Sequence, residues 1–149
     1  MYIVNFKNII LFLTILLTST YANNTTTEST ISEYEEKAFY HEHITKEYEL
    51  ALGYHKIACE LGAGYACANV GNIYWHGHIG HKRNKKKTVE YNLKGCELGN
   101  AYACRAVAIS YSEGWLAKPD NIKALHYCHK AYKLGSTKTC KLLGLPNPD

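Results

Sequence analysis

The sequence predicts an all-α fold: an α/α solenoid of about 2.5 disulfide-bridged helix-turn-helix repeats with an N-terminal capping helix. Three observations carry this. The block Cys59-Glu60-Leu61-Gly62-Ala63-Gly64-Tyr65-Ala66-Cys67 returns 37 residues later as Cys96-Glu97-Leu98-Gly99-Asn100-Ala101-Tyr102-Ala103-Cys104, identical at seven of nine positions. The match runs on, with Val70, Tyr74 and Gly77 answered by Val107, Tyr111 and Gly114. A third, weaker copy ends in Lys133-Leu134-Gly135 and carries Cys140, 36 residues after Cys104.

Each unit reads as two helices. The first opens at a polar residue fifteen before the repeat glycine, at Glu47, Asn84 and Asp120. Asn and Asp cap well because their side-chain oxygens accept from free first-turn amides, and Glu is a poorer cap. Pro119 supports a start at Asp120. The helix closes at Leu-Gly, where glycine takes the left-handed conformation. In the first copy Leu50, Tyr54, Ile57 and Leu61 form an apolar stripe at spacings of three or four. The second helix runs from about Tyr65 to His76, with Ala66, Val70, Ile73 and Tyr74 as its stripe. The later copies give helices over 85–98 and 101–113, then 121–134 and 137–143.

The ends differ from the repeats. Lys7, the apolar run Ile9 to Leu17 and the small residues Thr20 and Ala22 describe a secretory signal peptide over 1–22. The run is shorter than the roughly 20 residues a bilayer span needs. Removal of the leader leaves 16 basic and 13 acidic residues, a formal charge of +3. That mild excess does not by itself imply nucleic acid, and export argues against such a partner; with the short apolar run removed, no stable membrane insertion is expected. Residues 23–31, rich in Asn, Thr and Ser and holding two overlapping glycosylation sequons at Asn23 and Asn24, read as a flexible tail. Residues 32–43 read as a separate capping helix. The array then spans 44–144, as units 44–80, 81–117 and 118–144, and 145–149 form a C-terminal tail.

All six cysteines, Cys59, Cys67, Cys96, Cys104, Cys128 and Cys140, follow the leader. An even count in an exported chain implies a disulfide framework, and six thiols allow 15 pairings. The repeat narrows them. Cys59 lies three residues before its turn glycine and Cys67 five after, about one turn down each arm of a helical hairpin, and Cys96 and Cys104 repeat the placement. Cys128 lies seven before Gly135 with Tyr132 in the expected place, so Cys128–Cys140 rests on those being the two thiols left, and their pairing stays open.

The units resemble the Sel-one-like repeat, a relative of the tetratricopeptide repeat. Ala58, Leu61-Gly62, Gly71, Tyr74 and Gly77 carry the resemblance in one copy, Leu98-Gly99, Tyr111 and Gly114 in the next, and Lys123-Ala124 with Leu134-Gly135 in the last. The cysteine block narrows this to a resemblance to the secreted Helicobacter cysteine-rich proteins. That resemblance implies a periplasmic or secreted location, contacts with host or partner proteins, and penicillin binding with slow β-lactam hydrolysis.

The residues themselves show no catalytic motif. Ser-x-x-Lys, Ser-Asp-Asn and Lys-Thr-Gly, which serine β-lactamases use, are absent, so the catalytic residues are unknown and no cofactor is expected. His76, His78 and His81 cluster after a helix, with His41 and His43 in the cap, but their spacing fits no zinc signature and no metal is expected. Lys82, Arg83, Lys85, Lys86 and Lys87 surround a helix start and are candidates for binding an acidic protein patch, anionic lipid or glycan. Tyr54, Tyr74, Tyr91, Tyr111 and Tyr127 recur with the repeat and read as packing, while Trp75 and Trp115 sit near a loop mouth. The expectation is a monomeric module whose curved stack presents a face to a protein or peptide, or to a β-lactam or peptidoglycan fragment.

Overall fold

The computed structural model describes residues 6–77 and 82–148, with side chains at Thr14, Thr20 and from Ala22 onward. Seven α-helices follow in chain order: α1 (Phe6–Tyr40), α2 (Tyr48–Glu60), α3 (Gly64–His76), α4 (Lys85–Glu97), α5 (Ala101–Ser112), α6 (Asn121–Lys133) and α7 (Thr139–Leu142). One π-helical turn, His41–Thr45, links α1 to α2. No strand occurs among the described residues.

The helix starts follow their caps. Asn84, Asn100 and Asp120 each accept from the backbone amide three residues on, at 3.0, 2.8 and 2.9 Å, while Glu47 makes no such bond. The tight turns repeat one another. Gly62, Gly99 and Gly135 hold φ of 103°, 85° and 101°, which L side chains rarely adopt. The next residue then donates back to the helix, Ala63 to Ala58, Asn100 to Gly95 and Ser136 to Ala131, at 2.9–3.0 Å.

Three disulfides tie these turns: Cys59–Cys67, Cys96–Cys104 and Cys128–Cys140, with Cα atoms 4.7, 4.5 and 5.1 Å apart. Cys140 meets α6 one turn lower because residues 136–138 descend as a turn before α7 begins. All six half-cystines are fully buried, and Val70, Val89, Val107 and Thr139 are the largest other side chains so enclosed. The core is therefore thin and built of small residues, and the sulfur bridges supply much of its bulk.

The helices pack most extensively as α1·α2, α3·α4 and α5·α6, across the longer connections, and less so across the stapled turns. Each of these pairs holds a tyrosine stack: Tyr34 with Tyr54, Tyr74 with Tyr91, and Tyr111 with Tyr127, centroids 5.6–6.0 Å apart. Cys59–Cys67 and Cys96–Cys104 thus join one packed pair to the next, and Cys128–Cys140 ties α7 to the last.

Several expectations change. On α2 the buried residues are Ala51, Leu52, His55, Ala58 and Cys59, whereas Leu50, Ile57 and Leu61 are exposed. The disulfide and the α1 contact pull the buried face round toward the small residues. Residues 23–31 lie inside α1 and not in a flexible tail. Thr25, Thr26, Thr27, Ser29 and Thr30 satisfy their hydroxyls on carbonyls three or four residues back. Residues 32–40 are the end of that same helix, so the cap is not a separate element; Ala38 is buried and Tyr34 packs on the Cys59–Cys67 cluster. The last arm is shorter than expected, Thr139–Leu142.

Two tests follow from this packing. A Cβ at Gly95 would lie 2.9 Å from the Gly64 carbonyl and 3.0 Å from the Ala103 Cβ, while one at Gly53 meets nothing within 4 Å. In denaturant melts Gly95→Ala should lose about 1–3 kcal/mol by overpacking, and Gly53→Ala should gain about 0.5–1 kcal/mol from helix propensity. Non-reducing peptide mapping should recover the three pairs above with no cross-pairing between turns.

Candidate functional site

A groove of about 190 Å³ opens between α3 and α5, with α4 at its base. Both tryptophans of the chain line it. Trp75, at the end of α3, and Trp115, in the loop after α5, stack with centroids 4.0 Å apart and planes 8° from parallel. The Arg83 guanidinium lies over Trp75, a cation–π contact. The Trp115 Nε1–H donates to Glu113 at 2.7 Å, which fixes the ring. The pair is thus packing and wall at once.

The base holds a buried amide. Asn92 is 3 % exposed; its Nδ2 donates to the Thr88 carbonyl at 2.8 Å, and its Oδ1 has no partner among the described residues. Gly71 on α3 makes the room, since a Cβ there would sit 2.5 Å from Asn92 Nδ2. Tyr102 and Ile109 from α5 complete the polar and apolar sides. An aromatic wall beside a spare acceptor suits a ligand with an apolar group and an N–H donor.

The basic candidates divide. Arg83 belongs to the tryptophan wall, Lys82 and Lys87 line a second, smaller cavity beside Tyr74, and Lys85 and Lys86 are exposed. His78 and His81 lie outside the described residues, and His76 is exposed at the end of α3. His41 Nδ1 bonds the Glu47 carboxylate at 2.9 Å, and His43 Nδ1 lies 3.2 Å from the Phe39 carbonyl. Among the described residues the group with metal-ligand proximity is Cys128, His129 and Cys140, and its two sulfurs are bonded to each other. The sequence reading missed Asn92 and Gly71 as a pair. The available signal was an amide on the buried face of α4, one repeat partner away from a glycine.

Residues 36–62, 64–100 and 101–136 match the family model for the Sel1 repeat. The chain belongs to the Sel1 repeat family. Its phase makes α1–α2, α3–α4 and α5–α6 the units, half a unit away from the boundaries at 44–80, 81–117 and 118–144. The packing follows the family's phase, and the groove falls between neighbouring Sel1 units, on their first helices. Among solved structures the chain is similar to a Sel1 repeat protein from Oxalobacter formigenes, at 20 % identity and a TM-score of 0.68, over 85 % of this chain and 97 % of that one. At that identity the likeness concerns the fold. No curated protein matches the sequence. The three disulfides fit a non-reducing setting, and among the described residues no helix is long and apolar enough to cross a membrane.

One titratable group is buried where the first Sel1 unit closes. His55 on α2 is 3 % exposed; its Nε2 faces the Glu42 carboxylate at 3.2 Å, and its Nδ1 has no partner among the described residues. Burial lowers its pKa below the usual imidazole value, against the opposing pull of Glu42. The unfolded chain therefore binds the proton more readily. Stability is full while the imidazole is neutral in both states and declines as pH falls below about 6.5 toward the folded value. The denaturant midpoint should drop between pH 7 and pH 5, and His55→Gln should flatten that part of the profile.

Proposed function

We propose that this is an exported Sel1 repeat protein of the cysteine-rich branch its sequence resembles, acting as a binding module for a protein or peptide segment. The observation that carries the reading is the groove in which the stacked Trp75 and Trp115 face a buried amide with an unused acceptor. Sel1 repeats generally mediate protein–protein interaction, and this groove has the chemistry for it. A large apolar side chain gains contact area on the indoles, and a modest turn of Asn92 presents its Oδ1 to a backbone N–H. The Cys96–Cys104 bridge ties α5 to α4, and α4 packs along α3, so the groove walls are in place before binding and little ordering cost falls on the module. Export is supported by the leader-like start of the sequence and by the three disulfides.

Because both tryptophans line the groove, intrinsic fluorescence reads its occupancy directly. A peptide selected from a random library on the oxidised protein should shift the emission. Trp75→Ala should weaken binding by about 30-fold, the size of a central hot spot, and Asn92→Leu should weaken it while the fold holds. Peptide binding that is unaltered in both variants overturns the reading; a fluorescence response to a peptidoglycan fragment and to no peptide reassigns the groove to cell-wall material. The resemblance also implies β-lactam hydrolysis. A binding module shows no saturable turnover of a chromogenic cephalosporin.

A further inference from the structure

Away from the groove, each Sel1 unit places a lysine over its stacked tyrosine pair. In the first unit Lys37 lies over Tyr34 and Tyr54 and is paired with Glu33 at 2.6 Å. In the third, Lys123 lies 5.2 Å over Tyr111 and is paired with Asp120 at 3.5 Å. In the middle unit Lys87 lies 4.8 Å over Tyr74, its Nζ 3.4 Å from the phenol oxygen, and Lys56 approaches the same ring at 5.6 Å. Among the described residues no carboxylate pairs with either lysine.

The middle and third units are otherwise built alike here. The backbone N–H of Asn84 donates to the Tyr74 carbonyl at 2.9 Å, and that of Asp120 donates to the Tyr111 carbonyl at 2.9 Å. Both residues cap the next helix through the side chain, Asn84 onto the Lys87 amide and Asp120 onto the Lys123 amide. The two positions are equivalent, and the charge is what differs. Where the third unit carries its own carboxylate, the middle unit has a neutral amide facing a cavity of about 170 Å³ lined by Tyr74, Lys82, Asn84 and Lys87. That is several times the roughly 30 Å³ share of a water molecule.

We propose that this cavity binds a phosphate-type oxyanion, with Lys82 and Lys87 on its wall and Lys56 beside the Tyr74 ring supplying charge, and the Tyr74 hydroxyl supplying a hydrogen bond. The phenol oxygen accepts from the Lys87 ammonium at 3.4 Å, and its own O–H has no acceptor among the described residues, so its proton can be given to an anion. Three cations that pair with no carboxylate among the described residues favour a doubly charged group over a single carboxylate. The start of α4 adds its positive end to the same side. Burial pushes the Tyr74 phenol up, yet the hydrogen bonds and charges of Lys56 and Lys87 outweigh that and set it below the ordinary tyrosine value. A bound anion offsets those lysine charges.

The internal comparison supplies the test. Asn84→Asp installs the third unit's carboxylate while keeping a good N-cap, so the fold is expected to stand. Inorganic phosphate is titrated into the oxidised full chain and followed by amide chemical shifts. Saturable shifts are expected at the start of α4 and around Tyr74. Asn84→Asp should abolish them, Lys87→Gln should weaken binding about tenfold, and Lys94→Gln, elsewhere on α4, should leave it unchanged. Binding unaltered by Asn84→Asp, equal displacement by chloride, or no saturable shift overturns the proposal. Phosphatidylcholine vesicles with and without phosphatidic acid separate the sources. Sedimentation with the acidic vesicles that Asn84→Asp removes assigns a lipid headgroup, and phosphate binding without sedimentation assigns a soluble phosphate group.

Discussion

The covalent bridge at each tight turn is the constraint on which the structure depends. A left-handed glycine reverses the chain, and a cystine one turn further down locks the two arms with Cα atoms 4.5–5.1 Å apart. Arms held so close admit only small residues between them. Gly64, Gly95 and Ala103 meet almost backbone to backbone, and among the described residues no fully enclosed side chain is larger than valine. Such an interior gains little from apolar burial per residue. Each bridge offsets part of that shortfall, by about 3 kcal/mol for loops of this length in the chain-entropy view.

The close packing of α4 on α3 inside the middle unit creates the groove. With α4 drawn against α3, an alanine in place of Gly71 would strike the Asn92 amide, and Asn92 is left with one hydrogen bond used and one acceptor spare. Beyond it α5 is near enough for the loop that follows it to bring Trp115 onto Trp75. The equivalent of Gly71 in the next unit is Ala108 and the equivalent of Asn92 is Cys128, so the third unit does not repeat the feature. A repeat protein of this size thus concentrates its distinctive chemistry in the middle unit, flanked by units that cover its two faces.

What was legible in the sequence was local. Helix limits near Glu47, Asn84 and Asp120, the turn glycines and the two regular cysteine pairs all follow from contacts within about ten residues, which spacing reports. What was not legible depends on neighbours far along the chain. The buried face of α2 is decided by α1 and the bridge, so Leu50 and Ile57 ended outside although their spacing was helical. The stapled hairpins are compact in sequence, so spacing places the repeat phase around them, whereas the broader packing crosses the longer loops. Residues 23–31 looked like loop by composition, yet their hydroxyls are satisfied within a helix. The Trp75–Trp115 stack and the Gly71–Asn92 fit join positions 40 and 21 residues apart, and no single-residue pattern announces either.

The placement of the cystines also sets how the array would bear load. Since the first two bridges each connect the second helix of one unit to the first helix of the next, a pull on the two ends passes from Cys59 to Cys67 and from Cys96 to Cys104 through sulfur, and the residues between carry no tension. The seams cannot lengthen. Extension has to come from within the units, by peeling α3 from α4 or α5 from α6 along their tyrosine stacks. A solenoid is commonly weakest where one repeat meets the next; here that boundary is the inextensible part, and compliance is confined to the interior of each repeat.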